Sequence, residues 1–188
     1  MSGQEGAGAR RFLIQNNLLA DVSAATYGPF ANGRLFQVIG GLPNLLINHN
    51  TGFQDGAIAW TDTALTYTNN ISNVGTPTYG VGFVGSTAPA VVDRSVIIGG
   101  AASSFPSDNF FPVSLDAVGF VDLLGGSYAL SALSPYKGAA TDGTDIGVDF
   151  NALNSATGCA LSGACGNPTP AAPTLLRVGH RRNDQRRE

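Results

Sequence analysis

One pattern occurs in three stretches, Phe12-Leu-Ile14-Gln-Asn16-Asn17-Leu18, Leu45-Leu-Ile47-Asn-His49-Asn50-Thr51 and Leu65-Thr-Tyr67-Thr-Asn69-Asn70-Ile71. Each has apolar residues at alternating positions, then a polar pair, then a residue that again suits a strand. A fourth, degraded copy is Val91-Val-Asp93-Arg94-Ser95-Val96-Ile97. The second polar position falls at 17, 50, 70 and 95, so the copies lie 33, 20 and 25 residues apart. The pattern predicts a repeating unit of short strands joined by a polar corner.

Further strand-like runs lie between the copies, at residues 35–39 and 57–60. Several short strands in each repeat, without a helical period, are typical of the coils of a parallel β-solenoid. Asparagines at equivalent corners can hydrogen-bond from coil to coil, and asparagine tolerates the left-handed backbone that a corner needs. We therefore expect a structural ladder through Asn17, Asn50 and Asn70. An antiparallel sandwich with asparagines in its turns is the alternative.

Composition and charge narrow the class of protein. The 188 residues are 43% hydrophobic and only 12% charged, with 25 glycines and 10 prolines. A charged share near 25% is usual, so a helix bundle or coiled coil is excluded, and no apolar run is long enough for a membrane span. Residues 12–176 contain three basic and ten acidic side chains. We expect no nucleic-acid partner, because such binding requires the neutralisation of phosphates.

The two ends differ from the body. Residues 1–11 are Gly-rich and charged, contain no signal peptide and are expected to be disordered. Because a strand pattern follows within about a dozen residues, we expect that further coils of the same protein precede this chain. Residues 154–188 are predicted to be a low-complexity, disordered tail that ends in arginines. Cys159 and Cys165 lie there, and the sequence leaves open whether they pair.

A resemblance to a known superfamily comes from the C-terminal part of the repeat region. It is carried by Val118-Gly-Phe-Val-Asp122, Gly126-Ser-Tyr128-Ala-Leu130, Ser134-Pro-Tyr136-Lys-Gly138 and Asp142-Gly-Thr-Asp145-Ile-Gly-Val-Asp149-Phe150. This run resembles the last coils of right-handed parallel β-helix proteins of the pectate-lyase-like superfamily. The resemblance covers residues 12–153 and implies four to six coils with a closing cap. It further implies an extracellular or cell-surface protein associated with carbohydrate, while the motif is not specific for any chemistry.

Catalytic candidates are few. Polysaccharide lyases on this fold pair acidic calcium ligands with a basic residue, and Arg94 beside Asp93 is the best basic candidate of the body. The alternative for this pair is a surface ion pair. His49 is a second candidate, as a general base or as a corner residue that stacks in the ladder.

Metal and glycan ligands have separate candidates. Asp142, Asp145 and Asp149 are expected either to bind Ca²⁺ as a cofactor or to cap turns. Candidates for binding a polysaccharide are the aromatic Trp60, Tyr67 and Tyr79, which can stack on sugar rings, and the carboxylates of Asp55 and Asp62. Most aromatics at alternating positions belong to a core, so at most two should be exposed.

Three functions remain open at this point. The favoured one is the C-terminal part of an extracellular, carbohydrate-associated β-helix protein that is non-catalytic alone and either binds glycan or is structural. The second is a polysaccharide lyase or glycoside hydrolase whose catalytic residues lie partly in upstream coils. The third is a self-contained β-sandwich binding module.

Overall fold

The computed structural model describes residues 11–28 and 30–163. In chain order its strands are β1 (Leu13–Gln15), β2 (Leu18–Val22), β3 (Phe36–Val38), β4 (Leu45–Asn48), β5 (Thr51–Gln54), β6 (Ala59–Thr61), β7 (Leu65–Thr68), β8 (Ile71–Asn73), β9 (Gly75–Thr76), β10 (Gly80–Val81), β11 (Phe83–Gly85), β12 (Val91–Asp93), β13 (Val96–Ile98), β14 (Phe120–Asp122) and β15 (Ser127–Leu130). The helices are α1 (Ala24–Tyr27) and α2 (Phe150–Ser162), and 3-10 turns lie at Ala102–Ser104 and Asp116–Val118.

Most of the strands form three parallel sheets. Sheet A has the order β1-β4-β7-β12, sheet B has β2-β5-β8-β13, and sheet C has β3-β6-β11. The chain passes through A, B and C in turn and then returns to sheet A one strand further along, so successive coils stack in a solenoid-like arrangement. In the described residues, antiparallel pairing occurs only between β9 and β10 and between β14 and β15. The antiparallel sandwich considered from the sequence is therefore wrong.

Inward-pointing side chains stack from coil to coil because the strands keep a constant register. Ile14, Ile47, Tyr67 and Val92 occupy equivalent positions in sheet A. Ile47 and Tyr67 are completely buried. The Tyr67 ring also meets Phe36 of sheet C edge to face, with 6.4 Å between ring centroids. The alternation read from the sequence thus corresponds to one apolar core inside the coils.

A second apolar core lies on the outer face of sheet B. There the chain from residue 115 to residue 148, which we call the cover segment, packs against strands that are already buried on their inner side. The buried members of this second core are Ile71, Val96, Ile98, Val118, Tyr136, Ala140 and Ile146. Sheet B is consequently buried on both faces, which is why its strand β13 reads Val-Ile-Ile without alternation.

The cover segment corrects one expectation from the sequence. The resemblance implied that the closing motif caps the end of the coils. Instead the segment lies alongside the stack, and Asp149 reaches Asn16 of the first coil through a 2.7 Å hydrogen bond from its backbone N–H. The physical reason is the apolar outer face of sheet B, where the segment buries Ile71, Val96 and Ile98.

The expected boundaries fall partly outside the described residues. Of the N-terminal segment 1–11, only Arg11 is described, and residues 164–188 of the tail are not. Helix α2 crosses the boundary predicted between residues 153 and 154, so the tail is not irregular at its start. The chain up to Ala156 forms one compact unit, and residues from Thr157 onward belong to another.

Candidate functional site

A ladder of hydrogen bonds joins the corners between sheets A and B. The backbone N–H of Asn17 donates to Oδ1 of Asn50 at 3.1 Å, and that of Asn50 donates to Oδ1 of Asn70 at 2.8 Å. The N–H of Asn70 continues to Oγ of Ser95 at 3.2 Å, and the N–H of Ser95 to Oδ1 of Asn109 at 3.0 Å. The three asparagines expected in the ladder are thus joined by hydrogen bonds, and two further residues extend it.

The residue before each of the first four ladder positions forms a second row, which we call the corner column. It comprises Asn16, His49, Asn69 and Arg94, all with a positive φ between 46° and 57°. Such a backbone is uncommon outside glycine, and asparagine is the residue that tolerates it best after glycine. This preference explains why asparagine doublets recur in the sequence.

Residues 141–149, which we call the strap, cross three members of the corner column. The Thr141 N–H donates to Oδ1 of Asn69 at 2.8 Å. At the other end of the strap, Asn16 Oδ1 accepts from the Asp149 N–H and Asn16 Nδ2 donates to the Asp149 carbonyl. The corner side chains therefore hold the cover segment against the coils.

His49 is the central contact of the strap and is largely buried. Its Nδ1 lies 3.2 Å from the carbonyl oxygen of Gly147, and its Nε2 lies 3.1 Å from Oδ2 of Asp142. Both partners present acceptor oxygens, so a ring nitrogen that carries a hydrogen donates it to its partner. Both ring nitrogens are thus engaged within the protein, and the role of His49 as a general base stays a prediction.

Gly147 allows the close approach of the strap. Its φ is +89°, and a Cβ at this position would lie 2.6 Å from Oγ1 of Thr51 and 2.8 Å from Cδ1 of Ile71. Its N–H donates to the Asn69 carbonyl at 2.8 Å. Only glycine combines this conformation with this contact distance.

The three aspartates of the strap border a polar groove of about 550 Å³, but each is engaged in a different interaction. Asp142 accepts from Thr144 and His49, and Asp145 pairs with Lys137 Nζ at 2.5 Å. Asp149 Oδ1 accepts the N–H groups of Asn151 and Ala152 at the start of α2. Among the described residues, no group of three His, Cys, Asp or Glu side chains is placed to hold a metal ion. The arrangement matches the turn-capping alternative for these residues.

The environment of Asp142 lowers the pKa of its carboxyl group. The main causes are the hydrogen bonds from the hydroxyl and the N–H of Thr144. Burial acts in the opposite direction, and the charge of His49 and its hydrogen bond lower the pKa further. A lowered pKa keeps this carboxylate ionised and able to accept from His49.

Asp55 and Asp62 hold loops of the neighbouring coil. Asp55 accepts from the Ser23 hydroxyl and from the N–H groups of Ala24 and Ala25 at the start of α1. Burial raises the pKa of Asp55, but these hydrogen bonds outweigh it and the net pKa is lowered. Asp62 accepts from the N–H of Gly40 at 2.9 Å. Both carboxylates thus have structural partners, and Asp55 also borders two surface grooves.

Trp60 lies on the outer face of sheet C, where its side chain is exposed. The register places Gln37, Trp60 and Val84 in one outward row across the three strands. The guanidinium carbon of Arg34 lies 4.2 Å from the centre of the Trp60 ring, and Arg34 Nη1 donates to Oε1 of Gln37 at 3.1 Å. An aromatic ring, a cation and an amide are therefore held together on an open sheet face, and we call this set the Trp60 patch.

The other two aromatic candidates lie elsewhere. Tyr67 is completely buried, and its hydroxyl hydrogen-bonds with Oγ of Ser72 at 2.9 Å. Burial raises its pKa strongly. Its ring therefore has no face open to a sugar, and the expectation that Tyr67 binds glycan is wrong. Tyr79 is half-buried, in a turn where its N–H donates to the Thr76 carbonyl.

Asp93 and Arg94 do not form the ion pair that was the alternative to catalysis. Arg94 is exposed at the last position of the corner column, and its side chain makes no hydrogen bond or ion pair with the described residues. The carbonyl of Asp93 accepts from the N–H of Asn69 and from the Ser95 hydroxyl. No contact joins Arg94 to any of the candidate carboxylates in this part of the chain.

Two further observations concern a disulfide bond and the character of the two helices. Cys159 is disulfide-bonded, and Cys165, the only other cysteine of the chain, lies outside the described residues. Within residues 11–28 and 30–163, neither helix has the length and apolar character needed to cross a membrane.

Sequence reasoning missed several members of these sites. Asn109 follows Ser95 by only 14 residues, which is shorter than any repeat, although an Asp-Asn pair followed by Phe110 carries the same polar-then-apolar signal. The contact of His49 with Asp142 spans 93 residues and leaves no local signal. The stacking of Arg34 on Trp60 likewise follows only from the sheet register.

The solenoid-like stack of parallel β-coils is the class of protein that the fold defines. Comparison of the chain with protein-family models, with curated protein sequences and with solved structures finds no match.

Proposed function

We propose that this chain is a non-catalytic, glycan-binding part of an extracellular β-helix protein, and that the Trp60 patch is its binding surface. The carrying observation is the exposed Trp60 ring with Arg34 stacked on it at 4.2 Å and Gln37 fixed beside it. An indole ring offers an apolar face to the C–H groups of a sugar, while guanidinium and amide groups donate to its hydroxyl or carboxylate oxygens.

The site geometry supports binding over turnover. His49, Asp55, Asp62, Asp142, Asp145 and Asp149 all accept or donate hydrogen bonds within the protein. Hydrolysis of a glycosidic bond needs two carboxyl groups free to face the scissile bond. Arg94 is free, but no carboxylate of the described residues is in contact with it, so a lyase reaction has no support beyond the resemblance.

The finer class also belongs to this proposal. We infer a right-handed parallel β-helix similar to the pectate-lyase-like superfamily, because parallel crossovers within a sheet are nearly always right-handed and the closing motif resembles that group. Secretion and cell-surface location follow from the same resemblance.

The test is affinity electrophoresis of the full chain in gels that contain neutral or uronate-rich polysaccharides. We expect retardation by at least one polysaccharide, and about a tenfold weaker affinity for Trp60→Ala, which corresponds to about 1.4 kcal/mol. Thr66→Ala is the matched control, since Thr66 is half-buried on the outer face of sheet A. Equal retardation of both variants would remove the Trp60 patch from binding.

A reducing-end assay on the same polysaccharides, with and without Ca²⁺, separates binding from catalysis. We expect no release of reducing ends. Reproducible release that is lost in Arg94→Ala would replace the proposal with the enzymatic alternative.

A further inference from the structure

The two ends of the asparagine ladder are not equivalent. Every rung after the first accepts a hydrogen bond from the preceding coil, through Asn50, Asn70, Ser95 and Asn109. The first rung, Asn17, donates from its N–H and from Nδ2 to Oδ1 of Asn50, but its own Oδ1 accepts nothing from the described residues. The ladder therefore has an open acceptor at one end.

At the other end the ladder is closed by its own coil. Asn109 Nδ2 donates to the carbonyls of Val92 and Pro106, at 2.9 and 3.1 Å. Phe110 covers the neighbouring strand β13, because its N–H donates to Ser95 and its carbonyl accepts from Ile97. No donor of the last rung is left for a following coil.

The strands at the open end are also incomplete. Strands β1, β2 and β3 each lie at the same end of their sheets and pair on one side only. Ile14 is half-buried there, whereas Ile47, its equivalent in the next coil, is completely buried. The edge thus presents strand hydrogen-bonding groups, an incompletely covered core layer and one asparagine oxygen together.

We propose that this edge is a docking surface for a further coil of parallel strands whose corner residue donates to Asn17 Oδ1. The occupant follows from the continuity of the ladder, since Asn50 makes the same two donations, from N–H and Nδ2, to Asn70 Oδ1.

A second copy of this chain does not match the edge. A twofold arrangement whose axis passes through this corner would bring one Asn17 oxygen toward the other, so acceptor would face acceptor. A head-to-tail arrangement meets the closed end, where residues 109–112 already pair with β13. The edge therefore fits a coil whose corner residue donates a hydrogen bond to Asn17.

The first test adds such a coil to the full chain. A copy of residues 45–64 is inserted directly before Phe12, which places the corner asparagine of the copy 20 residues before Asn17. The matched control carries Ala in place of that asparagine. Amide exchange of residues 13–22 is then measured in both variants and in the unmodified chain.

We expect about tenfold or greater slowing of exchange at edge amides of β1 and β2 with the asparagine-bearing coil, and less with the control. Unchanged exchange with a folded insertion, or equal protection by both insertions, overturns the proposal.

A second measurement tests the proposal in a way that does not require the inserted coil to fold. A synthetic peptide of residues 45–64 is added to the unmodified chain, and the same amides are followed together with the sedimentation of the chain alone. Protection by the peptide supports the proposal. An absence of any protection overturns it, and so does a concentration-dependent dimer that protects the edge without peptide, because a second copy would then be the occupant.

Discussion

Sheets B and C form two sides of the same coils, but their outer faces differ. The outer face of sheet B carries Ile71, Val96 and Ile98 and is buried under the cover segment. The outer face of sheet C carries Gln37 and Trp60, both of which are exposed. The strap is fastened to the corner between sheets A and B and leaves sheet C uncovered. The difference teaches that the cover segment stabilises one face of the coils by burying it, while another face stays exposed.

Truncation of the Ile71 side chain, on the buried face, should have the largest effect on the free energy of unfolding. Ile71 is 1% exposed and lies between the outer face of sheet B and Ile146 of the cover segment. Ile71→Ala should lower the free energy of unfolding by about 3 kcal/mol, because a cavity remains where the side chain was. Chemical denaturation measures this change. Gln37→Ala, on the open face, should stay within about 0.5 kcal/mol; similar losses for both variants would mean that the two faces do not differ in stability.

Gly147→Ala should have the second largest effect on stability, because it should weaken the contact between the strap and the coils. The added Cβ would meet Thr51 and Ile71, and the positive φ would be strained. We expect a loss of about 2 kcal/mol and faster amide exchange in residues 141–149. Gly126→Ala is the control, since its φ is also positive but a Cβ there meets nothing within 4 Å. Equal losses in both variants would assign the effect to backbone strain alone.

Protonation of Asp142 at low pH should weaken the attachment of the cover segment to the coils. Its folded-state pKa is lowered, so its contribution to stability is present above the unfolded pKa of about 3.9 and is lost as the pH falls through the folded value. The difference in unfolding free energy between the wild type and Asp142→Asn should therefore shrink below about pH 4. Urea titrations at several pH values measure it, and a difference that grows on acidification would contradict the lowered pKa of Asp142 in the folded state.

Removal of Arg34 should have the smallest effect on stability and a local effect on the open face. Arg34 is half-buried, and a cation–π contact contributes about 0.5–1 kcal/mol at exposed sites and about 2 kcal/mol when desolvated, so Arg34→Ala should cost about 1 kcal/mol. Trp60 is the only tryptophan of the chain, so acrylamide quenching reports on this ring alone. Quenching should rise in Arg34→Ala and remain unchanged in Asp142→Asn.

The sequence predicted some of these features because they depend on local patterns. The alternation around Ile47 predicted the inward row, and the asparagine doublets predicted the ladder and its corners. The alternation also places Tyr67 in the core, against its expected role in binding. The cover segment could not be placed, because an apolar run such as Val96-Ile97-Ile98 indicates burial on both faces but not which residues bury it.

Contacts between residues that lie far apart in the chain could not be predicted from the sequence. His49 reaches Gly147 across 98 residues, and nothing near either residue indicates the other. Arg34 and Trp60 meet because β3 and β6 pair in a register that places Gln37 beside Trp60. The partners of the candidate residues, and hence the roles open to them, depended on the register of the coils.

The account predicts that the open face of sheet C binds glycan, and the fluorescence of Trp60 tests this most directly. The full chain is titrated with oligosaccharides from the polysaccharide that retards it, and the emission of this single tryptophan is followed. We predict a saturable change in emission that is weakened by Gln37→Ala and is unaffected by Thr66→Ala. Saturable binding by calorimetry without any change in Trp60 emission would contradict the account.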